Sequence, residues 1–379
     1  MANRYWVGGA GTWDAISTAN WSASTGGASG ATAPTSSDAA IFDANSGSGL
    51  VNTAAGASCL SFSLNNAGIT VQLGANISMT SFASVSSGTL NLNNFALTAD
   101  NFSSTANSVR TIAFASTGKI VCTRTANVTY GVDFYNATTT ATITGTPTID
   151  FTGNFASNNG LRAPISTYDG ISFNVKAGTG TFNLGSGQRF TNVDFTGFTG
   201  SLANSTHSIY GNLTLGSGMT ISSGTGVMSF LLSSGVQKFT TNGVTFNRPI
   251  TVGSSTAAPV LEFQDGLTQD SSRAFTIAGG TVRIKNGATS TVGTFATSGT
   301  TQKFLESALP GSQATLSQAS GTVNASNLTI KDINATGGAT WNAFVTNGNV
   351  DAGNNTGWDF FTQLGKYIYT RRKNKRILL

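Results

Sequence analysis

The chain has 379 residues, of which 46 are Gly and only 9% are charged. Disordered chains usually carry many charges and few aromatic residues, so the 24 Phe along this sequence argue against disorder and predict a packed core. β-Branched runs such as 138–144, and the lack of an amphipathic segment with helical period, predict an all-β protein.

The formal charge of +5 belongs to the end of the chain. Residues 366–379 contain six basic side chains and no acidic one, so 14 of the 20 basic and all 15 acidic side chains remain in residues 1–365. A nucleic-acid-binding body is usually basic. The nearly neutral body therefore argues against a nucleic-acid partner.

The N-terminus has no basic segment followed by an apolar run, and no stretch contains 18 consecutive apolar residues. We therefore expect neither a signal peptide nor a membrane span. The composition, rich in Ser, Thr and Asn, is nevertheless typical of extracellular adhesins and fibres. A virus particle, which is assembled in the host cytoplasm and exposes its surface proteins outside the cell, satisfies both observations.

Residues 1–58 are predicted to form an N-terminal cap. Trp6, Trp13 and Trp21 lie in this segment, and the next Trp is Trp341. The first turn of a stacked β structure exposes an apolar cross-section and an open strand edge, which bulky aromatic side chains can cover. The alternative is a sugar-stacking platform formed by Trp13 and Trp21.

Residues 59–335 are predicted to form the body, because a short pattern recurs there. The segment 77–82 is answered 20 residues later by 97–102, with Ile77 over Leu97 and Phe82 over Phe102. Apolar residues alternate with small polar ones and no helix separates the copies. This predicts a parallel β-solenoid, expected to be right-handed, with roughly 11 to 14 rungs of roughly 20 to 25 residues.

Cys59 and Cys122 are separated by about three such rungs, or roughly 14 Å at the usual strand spacing. That distance is too long for a disulfide. Both residues are therefore predicted to be buried free thiols.

Two stretches of the body draw attention as possible sites. Residues 158–170 contain Pro164, Tyr168 and Asp169 and are predicted to form a loop, where a regular scaffold most easily carries a binding function. His207, the only histidine, lies in a polar stretch that predicts a turn. Without Cys or clustered carboxylate partners, it predicts neither metal binding nor acid–base chemistry.

Residues 336–365 are predicted to form a C-terminal cap, because Trp341 and Trp358 arrive there together with several Phe. Both ends of the chain resemble one family. The opening Tyr5-Trp-Val-Gly-Gly-Ala-Gly-Thr-Trp13, followed by Asn20-Trp-Ser22 and Ala40-Ile-Phe-Asp43, and the closing 335–341 and 351–360 resemble β-solenoid proteins common in tailed bacteriophages. The resemblance implies a virion structural protein, and trimers are the habit of phage fibres. A looser version of the opening is similar to bacterial autotransporter passenger repeats.

Residues 366–379 are predicted to be a basic tail peptide. Its terminal apolar residues favour docking onto an acidic partner protein over a merely solvated tail or a nucleic-acid contact, because a docking peptide uses apolar anchors beside steering charges. The predicted docking residues are Lys366, Arg371, Arg372, Lys373, Lys375, Arg376, Ile377, Leu378 and Leu379.

The sequence offers little for catalysis. Asp265 and Asp270 are the best pair of carboxylates for a glycosidase, which needs two about 5 to 10 Å apart. No phosphate-binding loop, His-Glu-x-x-His or Cys-x-x-Cys motif is present. We therefore expect no catalytic site, no metal and no cofactor.

Together these features predict a non-enzymatic phage virion structural protein, a projecting tail fibre, head fibre or capsid decoration. Its expected partners are other capsid or tail proteins, host surface polysaccharide and further copies of the same chain, with no membrane partner. The alternatives are a carbohydrate-binding adhesin and a polysaccharide-degrading tailspike.

Overall fold

The computed structural model describes residues 1–135, 141–164 and 170–361. As predicted, the protein is all-β, with about 1% helix and parallel sheets that form a β-solenoid of about 14 turns. The chain divides into two compact units, residues 1–203 and residues 204 onward. The sequence did not predict this division.

The first unit contains 21 strands among its described residues. They are β1 Asn3–Trp6, β2 Gly11–Trp13, β3 Trp21–Ser22, β4 Ala39–Phe42, β5 Gly49–Thr53, β6 Ser61–Leu73, β7 Ile77–Ser78, β8 Phe82–Asn91, β9 Ala96–Ala99, β10 Asn101–Ser103, β11 Arg110–Ala113, β12 Lys119–Cys122, β13 Val132–Asp133, β14 Ala141–Thr144, β15 Thr148–Phe151, β16 Asn158–Arg162, β17 Ser172–Val175, β18 Thr181–Leu184, β19 Gln188–Phe190, β20 Val193–Asp194 and β21 Ser201–Leu202.

Three parallel ladders organise this unit. One runs through β1, β4, β6, β8, β10, β13, β16, β18 and β21, a second through β2, β5, β6, β8, β11 and β14, and a third through β7, β9, β12, β15, β17 and β20. Along strands such as β9 and β12, every second residue is buried. Apolar side chains therefore fill the interior, and small polar ones cover the outside. The parallel stacking already includes β1 and β2, within the predicted cap.

The strand register between the repeated segments 77–82 and 97–102 agrees with the prediction at one of the two predicted pairs. Ile77 lies over Leu97, which confirms the 20-residue period at that point. Phe82, however, pairs with Asn101, and Phe102 pairs with Ala83. A shift of one residue moves a side chain to the other face of a strand, so Phe82 is 45% exposed whereas Phe102 is 1% exposed. The prediction that Phe82 lies over Phe102 was wrong.

The three N-terminal tryptophans form an aromatic core. Trp6, Trp13 and Trp21 are at most 1% exposed, and Trp21 packs edge-on against both of the others at centroid distances of 5.2 and 5.5 Å. Strand β3, which carries Trp21, pairs antiparallel with β1. This confirms an aromatic cluster at the N-terminus. The alternative sugar platform is wrong, because neither Trp13 nor Trp21 offers an exposed face.

The second unit contains the other 21 strands and one short 3-10 helix, Val345–Asn347, among its described residues. The strands are β22 His207–Ile209, β23 Leu213–Thr214, β24 Thr220–Ile221, β25 Met228–Phe230, β26 Val236–Thr240, β27 Thr245–Phe246, β28 Ile250–Val252, β29 Val260–Phe263, β30 Thr268–Gln269, β31 Ala274–Ile277, β32 Thr281–Ile284, β33 Thr289–Thr291, β34 Thr294–Thr297, β35 Lys303–Ser307, β36 Ala314–Ser317, β37 Thr322–Asn324, β38 Leu328–Lys331, β39 Ile333–Thr336, β40 Thr340–Asn342, β41 Val350–Asp351 and β42 Trp358–Asp359.

This unit also stacks its strands in parallel ladders. The longest runs through β23, β26, β29, β32, β35, β38 and β41, and others link β22 to β34, β27 to β39, and β37 to β42. In the last turns, Trp341 and Trp358 pack edge-on at 4.9 Å, beside Phe295. Aromatic clusters are therefore present near both ends of the described chain, as predicted.

Several local predictions are confirmed or corrected by the structure. Cys59 and Cys122 are buried and free, as expected from their spacing. His207 begins a strand instead of forming a turn, and its side chain is completely buried. The first part of the predicted 158–170 loop is strand β16, because 158–161 pair in register with 181–184. Asn159 turns inward there and caps the backbone N–H of Gly160.

Three buried cations hold loops through backbone carbonyl oxygens. Arg110 donates to the carbonyls of Ser104, Ala106 and Ser108. Lys303 donates to the carbonyl of Thr301 at 2.7 Å, and Arg248 to that of Ser205 at 2.7 Å. All three side chains are at most 1% exposed, and burial lowers the pKa of each. Carbonyl dipoles thus replace the carboxylates that this sequence so rarely provides.

Candidate functional site

The predicted docking tail falls outside the described residues. All nine of its predicted residues, Lys366, Arg371, Arg372, Lys373, Lys375, Arg376, Ile377, Leu378 and Leu379, lie beyond residue 361. Residues 165–169 of the predicted binding loop are likewise outside the described part of the chain. The candidate sites therefore consist of other, described residues.

The most distinctive surface group is a cluster of Tyr130, Asp133, Tyr135 and Arg162, called here the tyrosine–arginine cluster. It forms because β13 and β16 pair in parallel with Asp133 directly beside Arg162. The guanidinium donates through Nε to Asp133 Oδ1 at 2.9 Å and through Nη2 to Oδ2 at 2.6 Å. Such bidentate pairs fix the plane of the guanidinium as well as its position.

The two tyrosine rings hold the guanidinium from both ends of β13. The Arg162 Cζ lies 4.7 Å from the ring centroid of Tyr130 and 4.2 Å from that of Tyr135. Asp133 Oδ1 also accepts the backbone N–H of Tyr135 at 2.9 Å, which sets the direction of the chain after the strand. Cation–π contacts of this kind strengthen as the cation loses water.

The electrostatics keep Arg162 protonated. Hydrogen bonding to Asp133 raises the pKa of Arg162, against a smaller opposing effect of burial. The arginine side chain remains 30% exposed and that of Asp133 16% exposed, while Tyr135 is 37% exposed. The cluster thus presents an aromatic surface next to a fixed guanidinium and carboxylate. This combination suits a ligand that has apolar C–H faces and several hydroxyl groups.

The carboxylates predicted as the best catalytic pair serve as turn caps. Asp265 accepts the backbone N–H groups of Thr241 and Asn242 at 2.9 and 2.6 Å. Asp270 accepts both the backbone N–H and the hydroxyl of Ser272. The hydroxyl contact, followed by the backbone one, lowers the pKa of Asp270. A general acid needs a raised pKa, so this residue is poorly suited to that role.

A second carboxylate pair lines a polar cavity of about 250 Å³ in the second unit. Glu306 accepts Arg283 Nε at 2.8 Å on one side of it. Asp332 accepts the Gly311 N–H at 2.9 Å and the Asn354 amide at 2.6 Å, and these bonds lower the pKa of Asp332. The remaining lining residues are Ser307, Ala308, Pro310 and Lys331.

Neither a metal centre nor a membrane-spanning helix is found in the described ranges. No three His, Cys, Asp or Glu side chains come together there in a way that could hold a metal ion. None of the described helical residues forms a helix long and apolar enough to cross a membrane.

The sequence pointed to one member of the tyrosine–arginine cluster and missed the others. Arg162 lies within the predicted 158–170 segment, but Tyr130, Asp133 and Tyr135 precede it by a whole rung. Asp133 and Arg162 are 29 residues apart, more than the predicted period allows. One signal in the sequence could have predicted this pair. Asp133 follows the buried Val132 and Arg162 follows the buried Leu161, so both charged side chains lie on the outer face of their strands.

Comparison of the chain with protein-family models, with curated proteins and with solved structures finds no match.

Proposed function

We propose that this chain is a non-enzymatic structural protein of a tailed-phage particle, a projecting fibre or surface decoration that contacts host-surface glycans. The tyrosine–arginine cluster is the observation that carries the glycan contact. It combines an exposed aromatic ring with a guanidinium and a carboxylate that are already held in place, so little conformational entropy is lost when a ligand binds.

The scaffold supports a role in presenting that cluster. In a β-solenoid each turn is hydrogen-bonded to its neighbours, so a surface group on one turn is held by the turns beside it. The sequence resemblance at both ends of the chain is the reason for choosing a phage particle. The basic tail, with its terminal Ile377, Leu378 and Leu379, is proposed to dock onto an acidic surface of a capsid or tail protein.

The state of the carboxylates supports a non-enzymatic role. Asp265 and Asp270 are occupied in capping turns, and hydrogen bonds lower the pKa values of Asp270 and Asp332. Glycoside hydrolysis requires one carboxyl group that stays protonated near neutral pH. The environments of Asp270 and Asp332 do not favour a protonated carboxyl group.

The glycan contact is tested with the purified full chain on an array of polysaccharides from the surface of the host bacterium. Tyr135→Ala, and Arg162→Lys, which keeps the charge but loses the planar fork, are expected to weaken binding about tenfold or more. Arg124→Lys is the matched control, because Arg124 pairs with Asp100 in the same unit and stacks on no tyrosine ring among the described residues. Equal binding by all variants would overturn the assignment of this cluster.

The place in the particle is tested by cryo-electron microscopy. We expect the chain on the particle surface with residues 366–379 ordered against an acidic protein surface. Absence of the chain from purified particles would refute the virion role. Glycan binding that persists in that case would favour the adhesin alternative.

A further inference from the structure

A column of alternating charges runs along one face of the second unit. Parallel pairing places Lys238 beside Glu262, Glu262 beside Arg283, Arg283 beside Glu306, and Glu306 beside Lys331. These five side chains, on β26, β29, β32, β35 and β38, are called here the charge ladder. Adjacent strands are about 4.8 Å apart, so positive and negative groups alternate at that spacing.

A column of four apolar side chains and two threonines, called here the apolar column, lies two residues before the charge ladder on each of its strands and continues onto β41. Its members, in order of turns, are Val236, Val260, Thr281, Phe304, Thr329 and Val350. Val236, Phe304 and Val350 are 41%, 42% and 48% exposed. Exposed apolar side chains aligned on one sheet face mark a candidate interaction surface.

Another face of the same unit has a different character. Its outward column is Thr245, Thr268, Thr291, Ser317 and Thr336, which are uncharged and small. Only 9% of the residues in this chain are charged. The face that carries five charges of alternating sign, next to exposed valines and a phenylalanine, is therefore distinct from the other face.

We propose that this face binds a second copy of the same chain in an antiparallel dimer, displaced by one turn. When two copies face each other with their turns running in opposite directions, the turn that carries Lys238 meets the turn that carries Glu306 of the other copy. The turn with Glu262 meets the one with Arg283. A two-fold axis repeats both contacts, so four opposite-charge pairs form, and Lys331 faces no member of the opposite ladder.

In this register the apolar column places Val236 against Phe304 of the second copy, twice, so that two exposed apolar side chains cover each other. A displacement by one turn in the other direction would also oppose unlike charges, Glu262 to Lys331 and Arg283 to Glu306, and the Lys238 and Lys331 variants below distinguish the two registers. An antiparallel arrangement without displacement would instead oppose Lys238 to Lys331 and Glu262 to Glu306. Like charges across an interface cost free energy, so that register is excluded by the ladder itself.

The proposal is tested by sedimentation equilibrium of the full chain at low ionic strength, with the fold of each variant checked by circular dichroism. Wild type is expected to form a dimer that weakens as salt is added. Lys238→Glu places a carboxylate against Glu306 of the other copy at both symmetric contacts. It is expected to raise the dissociation constant of the dimer about tenfold or more. Adding Glu306→Lys to it restores opposite charges and should restore the dimer.

Two controls separate association from effects within one chain. Lys331→Glu changes the same ladder at a position without a partner and should leave the dimer unchanged. Phe304→Thr should weaken it, whereas Phe82→Thr, at an equally exposed Phe of the first unit, should not. A monomer at all concentrations, a trimer mass, or failure of Glu306→Lys to rescue Lys238→Glu would overturn the proposal.

Discussion

Phe82 and Phe102 provide a matched pair for testing the register of the fold. Phe102 lies between Ala83 and Val132 in its ladder, 1% exposed, with its ring 5.4 Å from that of Phe134. Truncating such a ring removes its transfer free energy and leaves a cavity, so Phe102→Ala is expected to cost about 3 to 5 kcal/mol. Phe82 is 45% exposed, and solvent fills the space that it leaves. Phe82→Ala should cost roughly 1 to 2 kcal/mol.

The assay is denaturant-induced unfolding of the two variants and wild type, followed by tryptophan fluorescence. The signal is suitable because Trp6, Trp13 and Trp21 lie in the same unit as both phenylalanines. Equal losses in the two variants, or a larger loss for Phe82→Ala, would mean that the 20-residue spacing of the sequence also holds at these positions. The one-residue shift described above would then be wrong.

Three further predictions concern buried groups. Burial lowers the pKa of His207 to about 3, with a further contribution from Arg248, so the native state binds fewer protons than the unfolded state below about pH 6.5. Stability should fall as the pH drops through this range, by roughly 3 kcal/mol at pH 4.5 from this group, and NMR should show no imidazole titration between pH 5 and 8. Burial raises the pKa of Cys59 and of Cys122 to about 12, so a thiol reagent at pH 8 should label neither in the native protein and both after unfolding. Arg110→Met should cost about 2 kcal/mol by leaving the buried Ser104 carbonyl without this donor and by releasing the carbonyls of Ala106 and Ser108. It should speed proteolysis within 104–109, whereas Arg124→Met should not speed proteolysis there.

The fold class could be predicted from sequence because two features agree. The alternation of apolar and polar residues indicates strands, and the short repeat without a helix indicates that these strands stack in parallel. Each strand needs only a few alternating residues, and Ile77 over Leu97 shows that the period can be read where turns are regular. The same reasoning failed at Phe82, because a bend between strands absorbs one residue and reverses the face of the next side chain. His207 was misplaced because its polar neighbours are typical of turns, although its ladder partner Met228 holds it in a strand.

The surface groups were harder to predict than the core. Members of the charge ladder are 21 to 25 residues apart, so no fixed period connects them. The partner of Arg162 is farther away still, across a turn of unusual length. Core positions can be recognised despite such variation, because apolar residues at alternate positions of a strand mark its inner face. A specific pair of surface side chains requires the true register, which only the folded backbone provides.

The loops tied by Arg110 and Lys303 have a property that follows from their partners. A carbonyl oxygen does not ionise, so these attachments keep the same charges from strong acid to the alkaline range in which the cations lose their protons. They also lie inside the protein, where added salt screens them little. The loops tied by Arg110 and Lys303 therefore keep their attachments when the molecule passes between media of different acidity and salinity.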